Sequence, residues 1–512
     1  MYPPQTSLIP ATVSLLRFFE SNGFSAFIKD YPYWYLGSTP YRFLIGPVLP
    51  ILSHFLRLTL RLNADSVSLF NITIYFVIVS FLLSAIGWTV LVIRISDIRY
   101  QGSKRKYLLL ITYFLLLFLI LPWKYLSGFA LNEATLTISQ NFIPFVLFFY
   151  WQYLSRKKFR WAVTAVLSNT VLLLINTSIL PVLVIGLISL TLAYSYKKGK
   201  IRKPVISLKK IVLLLSYSLL LITIWYSPKY WITILFNPSI GGVSLTKALL
   251  KLFDLLKAFV PVALAFISVR LYKKVRGRLD VFIMVWMGTF LIITVFRFIS
   301  DWDFWMDWTA WFSQLEVGVW LILLKKISDV GYRTSEVGRR KSELDETSNL
   351  KPVTYYLLLI TLFLIPFYLT WRVYFALGKP QIFSKEIPDG VGSLKALNGI
   401  VEKNNGKANV FASGSTVFWL NAFYDMTQVR GGRDQVALHP VWDKASWEIR
   451  EGNNSNKTLD WLNSLKIDYV LVHSDTSKEY YHDFKYLNKW ETTGGVVWNS
   501  GGDSIRSNFT RN

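Results

Sequence analysis

The chain has 512 residues, 53% of them hydrophobic, with a net charge of +25 and no cysteine. The missing cysteines exclude disulfides and thiolate metal sites. The basic excess does not point to nucleic acid, because the lysines and arginines gather in short loops between apolar runs and not on one face of a folded module.

Residues 1–68 open on MYPPQTSLIP, with no basic segment ahead of an apolar core. Thr12 to Phe19 predicts a short helix, ended by Asn22-Gly23. KDYPYWYLGSTPYR follows, dense in aromatics and prolines. Tyr31, Tyr33, Trp34 and Tyr35 suit a membrane-interface belt, where rings sit with one edge wet, or stacking on sugar faces. Phe43–Leu60 is apolar but carries Pro47, Pro50, His54 and Arg57. Counting it as a span would put the basic loop at 94–106 opposite the other basic loops. It is therefore expected to lie in the outer interface.

From Leu69 to about Tyr374 the chain is a succession of apolar runs of the length a helix needs to cross a bilayer core. The expected spans are 69–93, 107–122, 138–155, 161–176, 180–196, 208–226, 250–270, 279–298, 309–326 and 352–374. Basic loops between them, such as SRKKFR and RLYKKVRGR, mark the cytoplasmic side, where they also meet anionic headgroups. Ten spans leave both ends of the chain outside.

The outer connections hold the polar residues of interest. One carries Lys124, Asn132, Glu133 and Gln140. RFISDWDFWMDWTAWFSQLE packs Asp301, Asp303 and Asp307 among Trp302, Trp305, Trp308 and Trp311, after Arg297 and before Glu316. On a helix Asp303 and Asp307 share a face, where they could position a divalent ion such as Mg or Mn. An interface turn rich in Trp and Asp has the same composition. Arg297 can grip phosphate in bidentate fashion. The four histidines, His54, His439, His473 and His482, have no ligand spacing, so any metal falls to carboxylates.

Beyond about Gly378 the composition changes. Strand-like NVFAS (409–413), YVLVHS (469–474) and GGVVW (494–498) alternate with helical stretches around 391–404 and 457–466, which predicts an α/β domain. Its marked loop is FYDMTQVRGGRDQ, where Gly431-Gly432 predicts a sharp turn flanked by Arg430, Arg433, Asp434 and Gln435. That loop could contact a glycan or phosphate, or be an ordinary polar turn. Asn176, Asn453, Asn456 and Asn508 head glycosylation sequons.

The whole is an α-helical polytopic membrane protein in three parts. Residues 1–68 form an outer loop, 69–375 a transmembrane domain of about ten helices, and 376–512 an extracytoplasmic α/β domain. YPYWYLGSTPYRFLIGPVLPIL resembles the first outer loop of the GT-C superfamily of polyprenyl-phosphate-sugar-dependent glycosyltransferases. TVSLLRFFESNGF is similar to that loop's first interfacial helix, and Leu69–Ile93 to the second span. QVRGGRDQ, a helix and YVLVHS resemble the soluble outer domain of its uncharacterised prokaryotic, archaeal-type members. The resemblance implies transfer of a sugar from a polyprenyl-phosphate carrier to a glycan, lipid or protein acceptor, in the cell membrane and with membrane-protein partners. In the superfamily the catalytic carboxylate follows the first transmembrane helix; here PPQTSLIP holds that place without an acid. Either an amino-terminal segment precedes this one, or the conventional base is absent.

Inverting transfer needs a carboxylate base at the acceptor hydroxyl and stabilisation of the departing phosphate. Asp30, Glu133 and Asp303 are the candidate catalytic carboxylates. Arg42, Arg297 and Arg430 are the candidate phosphate contacts, with Trp34, Trp305, Arg433 and Asp434 as further substrate contacts. Asp303 and Asp307 are the candidate metal ligands. A non-catalytic membrane assembly or glycan-binding protein of the same fold is the alternative. A transporter fits less well, since polarity gathers at the outer face and not at mid-membrane.

Overall fold

The computed structural model describes residues 1–95, 124, 126–197, 200–201, 204–236, 277–300, 306, 308–337, 368, 371–372, 374–375, 383–404 and 406–509, with backbone alone at 200, 235–236, 296–300 and 323–337. The expected spans 107–122 and 250–270, nearly all of 352–374, and Asp301, Asp303, Trp305 and Asp307 lie outside these residues.

Helix α1 (Ile9–Asn22) contains the expected 12–19 helix and stops at Gly23, whose φ is +58°. Its start places Pro10 in the first turn, where proline costs no intrahelical bond. Ten of its fourteen residues are buried, because it is packed between the helix bundle and the carboxyl-terminal domain. Helix α2 (Val48–Thr59) follows. A twelve-residue helix rises only about 18 Å, short of a bilayer core about 30 Å thick. Glu20 of α1 holds it, receiving Arg57 Nε and meeting His54 Nδ1, both at 2.9 Å. Leu52, Phe55 and Leu58 are left exposed.

Between these helices the aromatic segment turns inward. Strands β1 (Asp30–Tyr31) and β2 (Thr39–Pro40) pair antiparallel and close it into a loop. Tyr31, Trp34 and Tyr35 are fully buried, which corrects the expectation of an interface belt or of open sugar platforms. The Tyr31 ring lies 5.2 Å from Phe18 and 5.0 Å from Trp34, edge to face in both pairs. Burying three such rings is worth more in a core than at a wet boundary.

The bundle consists of α3 (Ser66–Ile95), α4 (Ala134–Arg156), α5 (Phe159–Ile175), α6 (Leu180–Ser195), α7 (Pro204–Ile222), the short α8 (Pro228–Phe236), α9 (Arg278–Ser300) and α10 (Trp308–Val337). Among the described residues, four stretches are long and apolar enough to cross a membrane: Ser66–Ile95, Thr177–Ser195, Pro204–Ile222 and Arg278–Val295. Helix α4 coincides with an expected span but opens on Thr135, Thr137, Ser139, Gln140 and Asn141, all buried. These polar side chains bond across the bundle: Asn141 Nδ2 donates to Ser80 Oγ at 2.9 Å. Gly87 of α3 permits the close crossing, since a Cβ there would sit 2.8 Å from Pro144 Cγ.

The carboxyl-terminal domain is a small α/β unit of α11 (Ser393–Lys403), β3 (Asn409–Phe411), α12 (Thr416–Phe423), β4 (Thr427–Gln428), α13 (Trp442–Glu451), α14 (Ser455–Ser464), β5 (Tyr469–His473), β6 (Gly495–Ser500) and β7 (Asp503–Ser507). The sheet order is β4-β3-β5-β7-β6, parallel across the first three strands and antiparallel thereafter. All five residues of β5 are buried, as a central strand covered on both faces requires. The three expected strands and both expected helices are present.

Candidate functional site

The carboxyl ends of β3, β4 and β5 point towards α1 and the bundle, and the loops leaving them form the junction. In open α/β sheets this edge is where ligands are usually held. The junction brings together five of the residues singled out in the sequence: Trp34, Glu133, Arg430, Arg433 and Asp434.

Glu133 immediately precedes α4, at the end of the helix where the backbone dipole favours negative charge. Arg433, 300 positions away in the loop after β4, donates from Nη2 to Glu133 Oε2 at 2.6 Å and to Thr135 Oγ1 at 3.0 Å. Thr135 donates in turn to Glu133, and Asn176 Nδ2 donates to Thr135 at 3.0 Å. Burial opposes the charge on Arg433, but the Glu133 carboxylate and the Tyr230 and Tyr226 hydroxyls together hold the guanidinium above its ordinary range. Asn176 is itself buried, so its sequon is part of this network and not an accessible acceptor. The sequence did not mark Thr135, and it offered Asn176 only as a glycosylation acceptor. The signal was a Glu-x-Thr ahead of an apolar helix and a polar Asn-Thr-Ser turn between two others.

The glycines of the Arg430–Asp434 loop serve close approach. A Cβ on Gly431 would lie 2.7 Å from Trp34 Cβ, and one on Gly432 would lie 2.9 Å from Ala11 Cβ. Trp34 is therefore a wedge under the loop. The Arg433 amide donates to Tyr35 Oη at 3.1 Å, and Tyr35 reaches Asp434 at 3.5 Å. Burial pushes the Asp434 carboxyl up, against the pull of Arg430.

Ala11, Thr12, Trp34, Glu133 and Arg433 line a recess of about 10 Å³ at the centre of the junction, room for roughly one water-sized oxygen. The Trp34 indole N–H is buried and has no hydrogen-bond partner among the described residues.

Arg430 turns away from this recess. Its Nη1 donates to Ser413 Oγ at 2.8 Å and lies 3.3 Å from Asp483 Oδ2, which Arg450 also meets at 3.2 Å. Burial alone would raise Asp483, but the Ser413 hydroxyl and the two guanidiniums hold it below the usual carboxylate range. Asp30 and Arg42 are not members of the junction network. Asp30 is exposed on the β1–β2 hairpin, and the Arg42 carbonyl accepts from Trp225 Nε1 at 3.0 Å. Arg297 belongs to α9 by its backbone.

Deeper in the bundle Lys124 Nζ donates to Ser84 Oγ at 3.0 Å. The buried Glu316 lies within its electrostatic reach.

The expected metal ligands Asp303 and Asp307 lie outside the described residues, and among those residues no three carboxylates or imidazoles cluster. At Glu133 the balancing charge is the Arg433 guanidinium. No protein-family model matches the chain, and no curated protein matches it.

Proposed function

We propose that the chain is a multi-pass membrane glycosyltransferase of the GT-C type, moving a sugar from a polyprenyl-phosphate carrier to an acceptor hydroxyl at the junction. The reading rests chiefly on the recess beside Glu133. It is the size of one oxygen and is lined by Glu133, Trp34 and Arg433, the carboxylate and the guanidinium side by side. An acceptor hydroxyl seated there would offer its proton to Glu133, the general base. Arg433 would exchange Glu133 for the phosphate oxygens, which it can take in bidentate fashion. The hydroxyl oxygen then forms the new bond to the anomeric carbon. The carbon–phosphate-oxygen bond breaks, its electron pair leaves on the polyprenyl phosphate, and the configuration inverts. In this reading the junction lies at the extracytoplasmic face, where a polyprenyl phosphate keeps its head group, and α2 lies in the adjacent lipid surface with Leu52 and Phe55 immersed.

A second reading, a non-catalytic glycan-binding or assembly protein, is favoured by the same recess. It admits one oxygen and no sugar ring, and its arginine and carboxylate are already paired.

The two readings part in one experiment. Membranes containing the protein receive labelled polyprenyl-phosphate sugars extracted from the native membrane, and transfer to acceptor is followed. Glu133→Gln should cut transfer by about 10²-fold or more, as loss of a general base does, while leaving protein levels intact. Transfer that survives this substitution removes Glu133 from the chemistry, and an unaltered chain that transfers no more than membranes lacking it hands the field to the second reading.

A further inference from the structure

At the opposite edge of the same sheet, beside the amino end of β5, the domain has an open cleft of about 590 Å³. That is within the range of small-molecule sites, roughly 300–1,000 Å³. Its rim carries three exposed amide side chains, Asn404, Asn463 and Asn508. Tyr469 and Phe509 lie beneath them and are themselves largely buried. An amide presents a donor and an acceptor side by side, which matches a pair of neighbouring hydroxyls. Asn404 Nδ2 already donates to Tyr469 Oη at 2.8 Å, so one amide is held in place for its remaining acceptor to face outward.

The electrostatics narrow the ligand. Among the described lining residues the formal charges are Lys403 and Asp468, and they cancel. Helices α11 and α14 both end at this cleft, and the carboxyl ends of helices disfavour anions. The junction edge, with Arg430, Arg433 and Arg450, has the opposite character. Asn508 closes one side with a left-handed backbone, φ +58°, a conformation asparagine tolerates better than most residues.

We propose that this cleft is a binding site for a neutral oligosaccharide, separate from the junction by the length of β5. The inference deepens the proposed function by supplying an acceptor-side subsite, yet binding is read without any donor, so the two can fail separately.

The test uses the full chain in nanodiscs on a printed array of neutral, sulfated and phosphorylated oligosaccharides, with empty nanodiscs as blank. Neutral glycans should be retained. Asn463→Ala combined with Asn508→Gly, which suits the positive φ, should weaken the best of them at least tenfold by titration. Glu133→Gln should bind as the unaltered protein does, whatever it does to transfer. The inference is overturned if no neutral glycan is retained, if only sulfated or phosphorylated ones are, or if the double variant binds unchanged. It is equally overturned if peptide mass mapping finds a glycan attached to Asn508, which would make the cleft a berth for the chain's own modification.

Discussion

The two edges of the carboxyl-terminal sheet are built on opposite principles. The edge facing the bundle is closed and charged: Arg433 meets Glu133 at 2.6 Å, and Asp483 is shared by Arg430 and Arg450. The far edge is open and neutral, with exposed amides around a 590 Å³ cleft. Charges brought together out of water must be matched almost completely, so the first edge cannot tolerate deletion. Exposed amides solvated by water carry no such constraint, so the second edge can change without cost to the fold. The same small sheet therefore separates a junction that holds the molecule together from a surface available to a ligand.

The largest effect expected from breaking this contrast is at Arg433. Arg433→Ala leaves Glu133 without its cation in a site where that carboxylate is 20% exposed. Removing one partner of a buried pair costs about 3–5 kcal/mol, and partial exposure brings the expectation to about 3. The measurement is limited proteolysis in nanodiscs, where the variant should release the carboxyl-terminal domain faster than Glu133→Gln, which keeps a neutral acceptor for Arg433. Equal rates for the two would mean that the pair does not clamp the domain. Gly431→Ala comes next. Its Cβ would press on Trp34 Cβ and Cγ at 2.7 Å, close to the backbone where nothing flexible can yield, for about 1–3 kcal/mol of overpacking. Trp34→Phe in the same chain should return little of the loss, because phenylalanine keeps both clashing atoms, Cβ and Cγ.

A smaller effect is expected from acid. Asp503 accepts from Ser477 and meets His473 Nδ1 at 2.9 Å, and these contacts together hold its carboxyl below its ordinary range against burial. Asp483 is depressed likewise. A carboxyl with a lower pKa in the folded chain than in the unfolded one contributes stability above the unfolded value of about 3.9. That contribution is lost as the pH falls through the folded value. The domain should therefore hold its stability from pH 7 down to about 5 and lose it progressively below 4. Asp483→Asn should flatten that loss, and an unchanged acid profile would show that the cluster titrates as ordinary surface carboxylates do.

Much of this was legible in the sequence for definite reasons. The alternation of short helices and strands from 391 onward announced the α/β unit, because TLDWLNSLKIDYVLVHS switches period from helix to strand without a break. Helix α1 announced its own end with Asn22-Gly23, and the prolines and charges of 43–60 marked α2 as no span. The strand β7 was hidden in DSIRS, a sequence with one apolar residue. Its signal was Gly501-Gly502, both at positive φ, the turn that a two-residue hairpin requires. The candidate site was legible in its residue types but not in its pairings. Glu133 and Arg433 both stood out, yet nothing local ties positions 300 apart. The aromatic loop misled for a related reason: Tyr31, Trp34 and Tyr35 read alike in a wet boundary and in a core, and only the domain lying over them decides.

The smallest expected effect is the one that sharpens the contrast most. Asn463 is exposed at the end of α14, and alanine there removes an amide that water already serves. Surface changes of this kind stay within about 0.5 kcal/mol, so Asn463→Ala should release the domain to protease at the unaltered rate. Its effect, if the far edge is a ligand surface, is confined to glycan retention. Arg433→Ala should do the reverse, loosening the domain while leaving the cleft's own residues in place. A variant of either edge that moved both readouts together would show that the sheet transmits strain from one edge to the other. The separation would then be lost, and the cleft would have to be counted as part of the junction's scaffold.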